Sequence, residues 1–214
     1  MTTAHHIVLL GDSIFDNASY VPGGPDVVNQ LRALLPGGWR AMLNAVDGSV
    51  ASDVKRQIGW LGSDVTHLVV SVGGNDAQGC SSLLDEGAAS VAEALLRLTE
   101  AADRFAENYR AMLDGVLARG LSTAVCTIYD PRFPDPIGRR IATAALTLFN
   151  DVITREAFTR KLPLIDLRLI CNDDGDFANP IEPSVQGGAK IAAAIMAFAK
   201  AAPSGNGNSE VFAG

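Results

Sequence analysis

Aromatic residues make up only 6% of the 214-residue chain and charged residues only 19%, whereas hydrophobic residues make up 48%. This composition excludes general disorder, and Val, Ile, Leu and Ala must fill most of the interior. Basic residues are also the minority among the charges, with 17 Lys and Arg against 24 Asp and Glu and a formal net charge of −7. No basic cluster offsets this balance. We therefore expect neither a nucleic-acid partner nor an anionic membrane surface.

Long hydrophobic runs and paired cysteines are missing as well. The longest apolar run, Ile191–Ala199, is less than half of the roughly 20 residues that a membrane span needs. The apolar run at Ile7–Leu10 is too short for a secretory signal. Three cysteines are an odd number, and they lack the spacing of a metal site. We expect a cytoplasmic protein with no membrane partner and no metal.

Short apolar runs alternate with longer helical patterns along the chain, which is typical of parallel strands covered on both faces by helices. The predicted strands are His6–Leu10, Trp39–Val46, His67–Val72, Thr123–Tyr129 and Leu162–Leu167. The predicted helices are Asp26–Leu35, Ser52–Leu61, Ala88–Arg119, Gly138–Arg160 and Ser184–Ala201. The sequence therefore predicts a three-layer α/β/α sandwich around a five-stranded parallel, flavodoxin-like sheet. We expect residues 1–202 to form a single domain and residues 203–214 a flexible C-terminal tail.

Polar residues cluster directly after three of the predicted strands and before the last helix. These segments are Gly11–Asn17, Asp47–Ser49, Gly73–Asp76 and Asn179–Ser184. In open α/β sheets, ligands bind at the carboxyl ends of the strands, where the strand order reverses. The sequence therefore predicts a functional site at this edge of the sheet.

These segments resemble the sequence blocks of the SGNH or GDSL hydrolases, serine esterases and acyl hydrolases with a flavodoxin-like sheet. The matching residues are Gly11, Asp12, Ser13, Asp16 and Asn17 for GDSxxDN, Gly48 for the glycine after the second strand, Gly73-Gly74-Asn75-Asp76 for GxND, and Pro183-Ser184 onwards for DxxHPSxxG. The resemblance covers almost the whole chain, with the blocks in order. It implies the family's fold and the hydrolysis of a small-molecule carboxylic ester, acyl or acetyl, without a cofactor.

The resemblance assigns a role to each block. Ser13 would be the nucleophile, and the oxyanion hole would combine the backbone N–H groups of Ser13 and Gly48 with the side-chain amide of Asn75. An uncharged amide donor is suited to the negative charge that develops in acyl transfer. The remaining block residues would support the site, namely Asp12, Asp16, Asn17, Gly74 and Asp76.

The last block departs from the family pattern, because its Asp and His positions are occupied by Asn179 and Glu182. The chain's three histidines precede or open predicted strands, so we expect them about 20 Å from Ser13, at the opposite edge of the sheet. A Ser-His-Asp triad is therefore excluded within one chain. Glu182 is the candidate general base, and the amide of Asn179 is the candidate donor that orients its carboxylate.

Other interpretations of the same residues stay open. The chain could be a degenerate hydrolase that only binds a ligand or partner, or an acyltransferase that uses the same nucleophile. Glu182 could simply favour the N-terminus of the last helix, and Asn75-Asp76 could be a turn or a helix cap. The acidic residues 173–176 lack a calcium-loop pattern and are expected to be a solvated loop, and Gly187-Gly188 lacks a nucleotide motif.

Overall fold

The computed structural model describes residues 5–201 and 209–213, and eight strands lie in this part of the chain. The strands are β1 (His6–Gly11), β2 (Arg40–Leu43), β3 (His67–Ser71), β4 (Ser122–Cys126), β5 (Leu164–Ile165), β6 (Phe177–Asn179), β7 (Glu182–Pro183) and β8 (Val211–Phe212). Six of them form a parallel sheet in the order β2-β1-β3-β4-β5-β8, and β6 and β7 form a separate antiparallel pair. The order reverses between β1 and β3, which is where ligands bind in such sheets.

The helices cover both faces of the sheet. They are α1 (Val27–Leu34), α2 (Val54–Gln57), α3 (Gly74–Gln78), α4 (Val91–Leu117), α5 (Pro136–Thr159), α6 (Leu167–Ile170) and α7 (Val185–Lys200). Successive residues of β1 point to opposite faces, so Ile7 and Leu9 pack with α1 and α7, whereas Val8 and Leu10 pack with α2, α4 and α5. The prediction of a three-layer α/β/α sandwich is confirmed.

The sheet has six strands, not the five predicted. The additional strand, β8, pairs in parallel with β5 and lies within the segment that the sequence indicated as a flexible tail. That prediction is wrong for Val211–Phe212, whose backbone groups complete the edge of the sheet. Residues 203–208 and 214 of the predicted tail lie outside the described part of the chain.

The helices α4 and α5 are much longer than the strands they cover. At 1.5 Å per residue, the 27 residues of α4 span about 40 Å, whereas the five residues of β3 span about 17 Å. Burial of α4 begins at Ala101 and that of α5 at Phe149. The first ten residues of α4 and the first thirteen residues of α5 therefore contribute no buried side chains.

Among the helices of residues 5–201, none is both long enough and apolar enough to cross a membrane. The expected cytoplasmic location stays a prediction.

Candidate active site

Ser13 lies in the turn that directly follows β1, at the carboxyl edge of the sheet. The turn depends on Gly11, which has a φ of +124° and whose missing Cβ would lie 1.7 Å from the carbonyl oxygen of Ser71. Asp12 continues the contact, since its backbone N–H donates to the same carbonyl at 3.1 Å. Only glycine permits this close approach of β1 to β3.

Gln57, on α2, secures the same turn from the other side. Its amide oxygen accepts from the N–H of Gly11 at 2.7 Å, and its amide nitrogen donates to the carbonyl of Gly11 at 2.8 Å. Gln57 is fully buried. The role of Gln57 was not predictable, because one polar residue within a helical pattern carries no signal of its contacts.

The structure brings the side chains of Ser13 and Glu182 together although they are 169 positions apart. The hydroxyl of Ser13 donates to Oε1 of Glu182 at 3.0 Å. Both residues are almost inaccessible to solvent, with 7% and 5% of their surfaces exposed. Glu182 reaches this position because β7 lies directly before α7, at the carboxyl edge of the sheet. The arrangement allows a proton to pass from the hydroxyl to the carboxylate.

Burial makes Glu182 an unusually strong base for a carboxylate. Desolvation raises the pKa of Glu182 to about 7, against the opposing effect of the hydrogen bond from Ser13, and the charge of Asp47 adds to the increase. Its second oxygen, Oε2, is buried and has no hydrogen-bond partner among the described residues. Burial likewise raises the pKa of Asp12 to about 8, and the negative charge of Glu182 contributes. Both buried carboxyl groups therefore hold a proton more readily than an exposed carboxyl group does.

Asn179 does not contact the carboxylate of Glu182, so its predicted role as the orienting donor is wrong in the described structure. Its side-chain oxygen instead accepts from the backbone N–H groups of Ile181 and Glu182, each at 3.0 Å. This local turn explains the residue, since Asn side chains readily bond to backbone two or three positions ahead. Asn179 thus shapes the tight connection between β6 and β7.

Three contacts from other parts of the chain hold the backbone around Glu182. The hydroxyl of Tyr129 donates to the carbonyl of Ile181 at 2.6 Å. The backbone N–H of Arg132 donates to the carbonyl of Pro180 at 2.7 Å, and the side-chain amide of Asn17 donates to the carbonyl of Pro183 at 3.2 Å. The carboxylate is therefore positioned by fixing the backbone on both sides of it.

Asn17 also connects this segment to α1, since its side-chain oxygen accepts from the N–H of Val27 at 2.9 Å. Asp16 accepts from the N–H of Asp47 at 2.9 Å, which links the turn after β1 to the loop after β2. Both residues brace the loop around Ser13.

The predicted oxyanion donors do not all line the same cavity. Ser13 and Asn75 line the cavity that extends between α4 and α5, as does Gly74, which was predicted as a supporting residue. Gly48 does not line this cavity and lies in an exposed turn with a φ of +78°. One N–H of the Asn75 amide donates to the carbonyl of Ser49 at 3.0 Å, which leaves the second N–H available. Among described residues, the backbone N–H groups of Ser13 and Gly48 donate to no protein group.

Asp76 has a structural contact. Its carboxylate accepts from the N–H of Ala51 at 3.0 Å, and burial raises its pKa. Together with Asn75, it ties the start of α3 to the loop that follows β2.

A cavity of about 210 Å³ extends from the Ser13–Glu182 pair into the space between α4 and α5. Its walls beyond the catalytic candidates are mainly apolar, and include Leu98, Ala101, Ala142, Ala145 and Phe149. The only charged side chains in the lining are those of Asp12 and Glu182. The cavity therefore suits an uncharged, apolar group next to a polar reacting centre.

The histidines lie at the opposite edge of the sheet. His6 and His67 begin β1 and β3, and Nδ1 of His5 lies 3.3 Å from Nδ1 of His67. No group of three or more His, Cys, Asp or Glu side chains in the described ranges could hold a metal ion. In the acidic loop, Asp176 is fully buried and bonds to Lys190 at 2.8 Å, so the expectation of a solvated loop is wrong for this residue.

Comparison with known proteins bears on this arrangement. A family model described as GDSL-like Lipase/Acylhydrolase family matches residues 9–189 of the chain. That range contains Gly11–Asn17, Asp47–Ser49, Gly73–Asp76 and Asn179–Ser184. No protein among the curated sequences is significantly similar to this chain.

Solved structures of lipolytic enzymes have the same fold. Phospholipase A1 from Streptomyces albidoflavus NA297 is 18% identical, with a TM-score of 0.64 over 93% of this chain and 100% of the other. The lipase Lip_vut3 from a goat rumen metagenome is 16% identical, with a TM-score of 0.69 over 91% and 97%. The psychrotrophic esterase EstA from Pseudoalteromonas sp., inhibited by monoethylphosphonate, is 17% identical, with a TM-score of 0.61 over 92% and 97%.

Proposed function

This chain belongs to the GDSL-like lipase/acylhydrolase family, and from that premise we propose that it hydrolyses carboxylic esters through an acyl-enzyme on Ser13, with Glu182 as the general base. The observation that carries the proposal is the 3.0 Å hydrogen bond from the hydroxyl of Ser13 to the buried carboxylate of Glu182. A nucleophile within hydrogen-bond reach of a base is the arrangement that acyl transfer by a serine requires.

In the first half of the reaction, Oγ of Ser13 attacks the ester carbonyl carbon while its proton passes to Oε1 of Glu182. The carbonyl oxygen becomes an oxyanion, which the free N–H of Asn75 and the backbone N–H of Ser13 stabilise. Collapse of this intermediate breaks the bond to the alcohol oxygen, and that oxygen takes the proton from Glu182. The alcohol leaves, and the acyl group stays esterified to Ser13.

In the second half, a water molecule attacks the acyl-enzyme and transfers a proton to Glu182. The resulting oxyanion uses the same donors. Its collapse expels Oγ of Ser13, which recovers the proton from Glu182, and the carboxylic acid departs. Proton and charge therefore balance over the cycle with one carboxylate as the only base.

The raised pKa supports this role for Glu182. An ordinary glutamate is about two pKa units less basic than histidine, a deficit of about 3 kcal/mol in proton affinity. Burial brings the pKa of Glu182 to about 7, close to that of an ordinary histidine. We expect kcat/KM to rise with pH through about 7 and then level off, because the base must be deprotonated to act.

The experiment combines active-site labelling with ester hydrolysis. We expect a fluorophosphonate to label Ser13, and Ser13→Ala to abolish both labelling and turnover of nitrophenyl esters. Glu182→Gln keeps the shape but removes the basic site, so we expect a loss of at least a hundredfold in kcat. Glu107→Gln, on the exposed face of α4, is the matched control. Full activity in Glu182→Gln, or no adduct on Ser13 at any pH from 5 to 9, would refute the proposal.

A further inference from the structure

The cavity beside Ser13 lies between α4 and α5, close to the point on each helix where burial begins. Leu98 and Ala101 from α4 lie in one wall, and Ala142, Ala145 and Phe149 from α5 lie in another. Three of these five residues are alanines, whose small side chains leave space between the two helices. Small residues on both helices therefore leave room for the cavity.

Large, exposed apolar side chains lie on the segments that line this cavity. We call them the rim, and they are Leu84, Val91, Leu95, Phe133, Ile137 and Ile141. Leu84 and Phe133 line the cavity and are also exposed. Leu95 and Val91 precede Leu98 by three and seven positions, which places them on the same face of α4. Val91 is 78% exposed and Ile137 is 69% exposed.

The exposure of the rim requires an explanation, because the first turns of α4 and α5 contact no core. Isolated apolar residues on a surface are ordinary, whereas a group that borders an apolar cavity marks a binding site for apolar ligands. The apolar path from Ser13 reaches solvent at Leu84 and Phe133, which are exposed and line the cavity. Helical spacing places the other rim residues on the faces of α4 and α5 that carry lining residues.

We propose that this path binds the acyl chain of the substrate, so that the preferred substrates are esters of linear acids of medium or long chain length, not acetyl esters. This inference rests on the proposed function of Ser13. The acyl group is the half of the ester that stays bound through both steps, so its burial stabilises both transition states. The alcohol must leave after the first step, and it needs only to face Glu182, which protonates it.

The hydrophobic effect sets the size of the expected preference. Burial of one methylene group contributes about 0.8 kcal/mol, which corresponds to about a fourfold increase in kcat/KM for each methylene that is fully enclosed. Methylenes that contact only one wall contribute less. From acetate to octanoate we therefore expect kcat/KM to increase by two orders of magnitude or more.

The test compares nitrophenyl esters from acetate to dodecanoate on the purified full chain and on two α5 variants. Ala145→Leu places three extra carbon atoms in the cavity, and we expect it to reduce the octanoate-to-acetate ratio of kcat/KM about tenfold. The matched control is Ala144→Leu, the same change at the adjacent exposed position, which does not line the cavity. Ala142→Leu is a second cavity variant if Ala145→Leu does not fold.

A binding measurement separates this inference from the proposed function. We expect Ser13→Ala to bind the fluorescent linear fatty acid cis-parinaric acid, and Ser13→Ala/Ala145→Leu to bind it at least tenfold more weakly. Fatty-acid binding without any esterase activity or Ser13 labelling would overturn the proposed function and leave the acyl site supported. Ester hydrolysis with a flat chain-length profile that Ala145→Leu does not change would overturn the acyl site alone.

Discussion

Replacing Glu182 by Gln should increase the stability of the folded protein, and the gain should grow with pH. The carboxyl of Glu182 has a pKa of about 7 in the folded chain, against an ordinary value of 4.5. Above pH 4.5 the unfolded chain releases this proton more readily than the folded chain does. The folded state therefore loses stability, relative to the Gln variant, as pH rises from 4.5 to 7.

The magnitude follows from the two pKa values. From the linkage of protonation to folding, Glu182 destabilises the folded state by about 1 kcal/mol at pH 5 and about 3 kcal/mol at pH 8. At pH 8 this destabilisation has almost reached its maximum. Gln retains an oxygen that accepts the hydrogen bond from Ser13, but its amide N–H groups replace the buried, unpartnered Oε2 and subtract a cost that does not depend on pH. The change of the difference with pH therefore reports the buried charge. For a chain of this length, about 3 kcal/mol corresponds to an increase in Tm of roughly 6–12 °C.

Urea unfolding of both proteins at pH 5, 6.5 and 8 measures the effect. Other titrating groups contribute almost equally to the two proteins except Asp12, whose raised pKa includes the charge of Glu182. The difference in the free energy of unfolding therefore reports position 182 together with its coupling to Asp12. Glu107→Gln, which removes an exposed carboxylate, should show a small difference that changes little with pH. A Glu182→Gln variant that is less stable than the parent at pH 8, or whose difference does not vary with pH, would refute the reasoning.

Two further variants test the contacts that build the site. Tyr129→Phe removes the hydrogen bond to the carbonyl of Ile181, so we expect the free energy of unfolding to fall by about 1 kcal/mol. We also expect a lower kcat and an altered pH profile of kcat. Tyr109→Phe is the control for stability and for kcat. An unchanged kcat and pH profile would show that Tyr129 does not position Glu182. Gly11→Ala forces a Cβ against the backbone of Ser71 at a φ of +124°, so we expect the variant to unfold or to lose more than about 3 kcal/mol of its free energy of unfolding. Gly37→Ala has open space around the new Cβ and should be tolerated. Comparable Tm values for these two glycine variants would contradict the structure.

The fold was predictable because its signals repeat along the chain. Apolar runs such as that of β1 are buried on both faces, and this pattern distinguishes a covered parallel strand from an exposed one. The strand β8 was not predictable, because two residues are too few to show a period and they follow a stretch rich in Gly, Ser and Asn. Its formation depends on the open edge of β5, a feature of the assembled sheet.

The site was predictable only where side chains belong to recognisable blocks. Those blocks led to Ser13 and Glu182, which the structure places in contact. Gln57 and Tyr129 were missed because they bond to backbone carbonyls and N–H groups, which every residue carries and which leave no trace in sequence. The prediction that Asn179 orients the carboxylate of Glu182 was wrong for the same reason. The side-chain oxygen of Asn179 accepts from nearby backbone N–H groups, and such contacts leave no trace in sequence.

A carboxylate base changes what the rest of the site must provide. When a histidine takes the serine proton it becomes a cation, and an aspartate behind it stabilises that charge. In the mechanism we propose, Glu182 becomes neutral when it takes the proton, and the single negative charge moves from the carboxylate to the oxyanion. The base then needs no charged partner, which agrees with an Asn179 that contacts only backbone. The greater demand falls on the oxyanion donors, because the whole negative charge must be stabilised beside Asn75 in a site from which burial has removed most of the water.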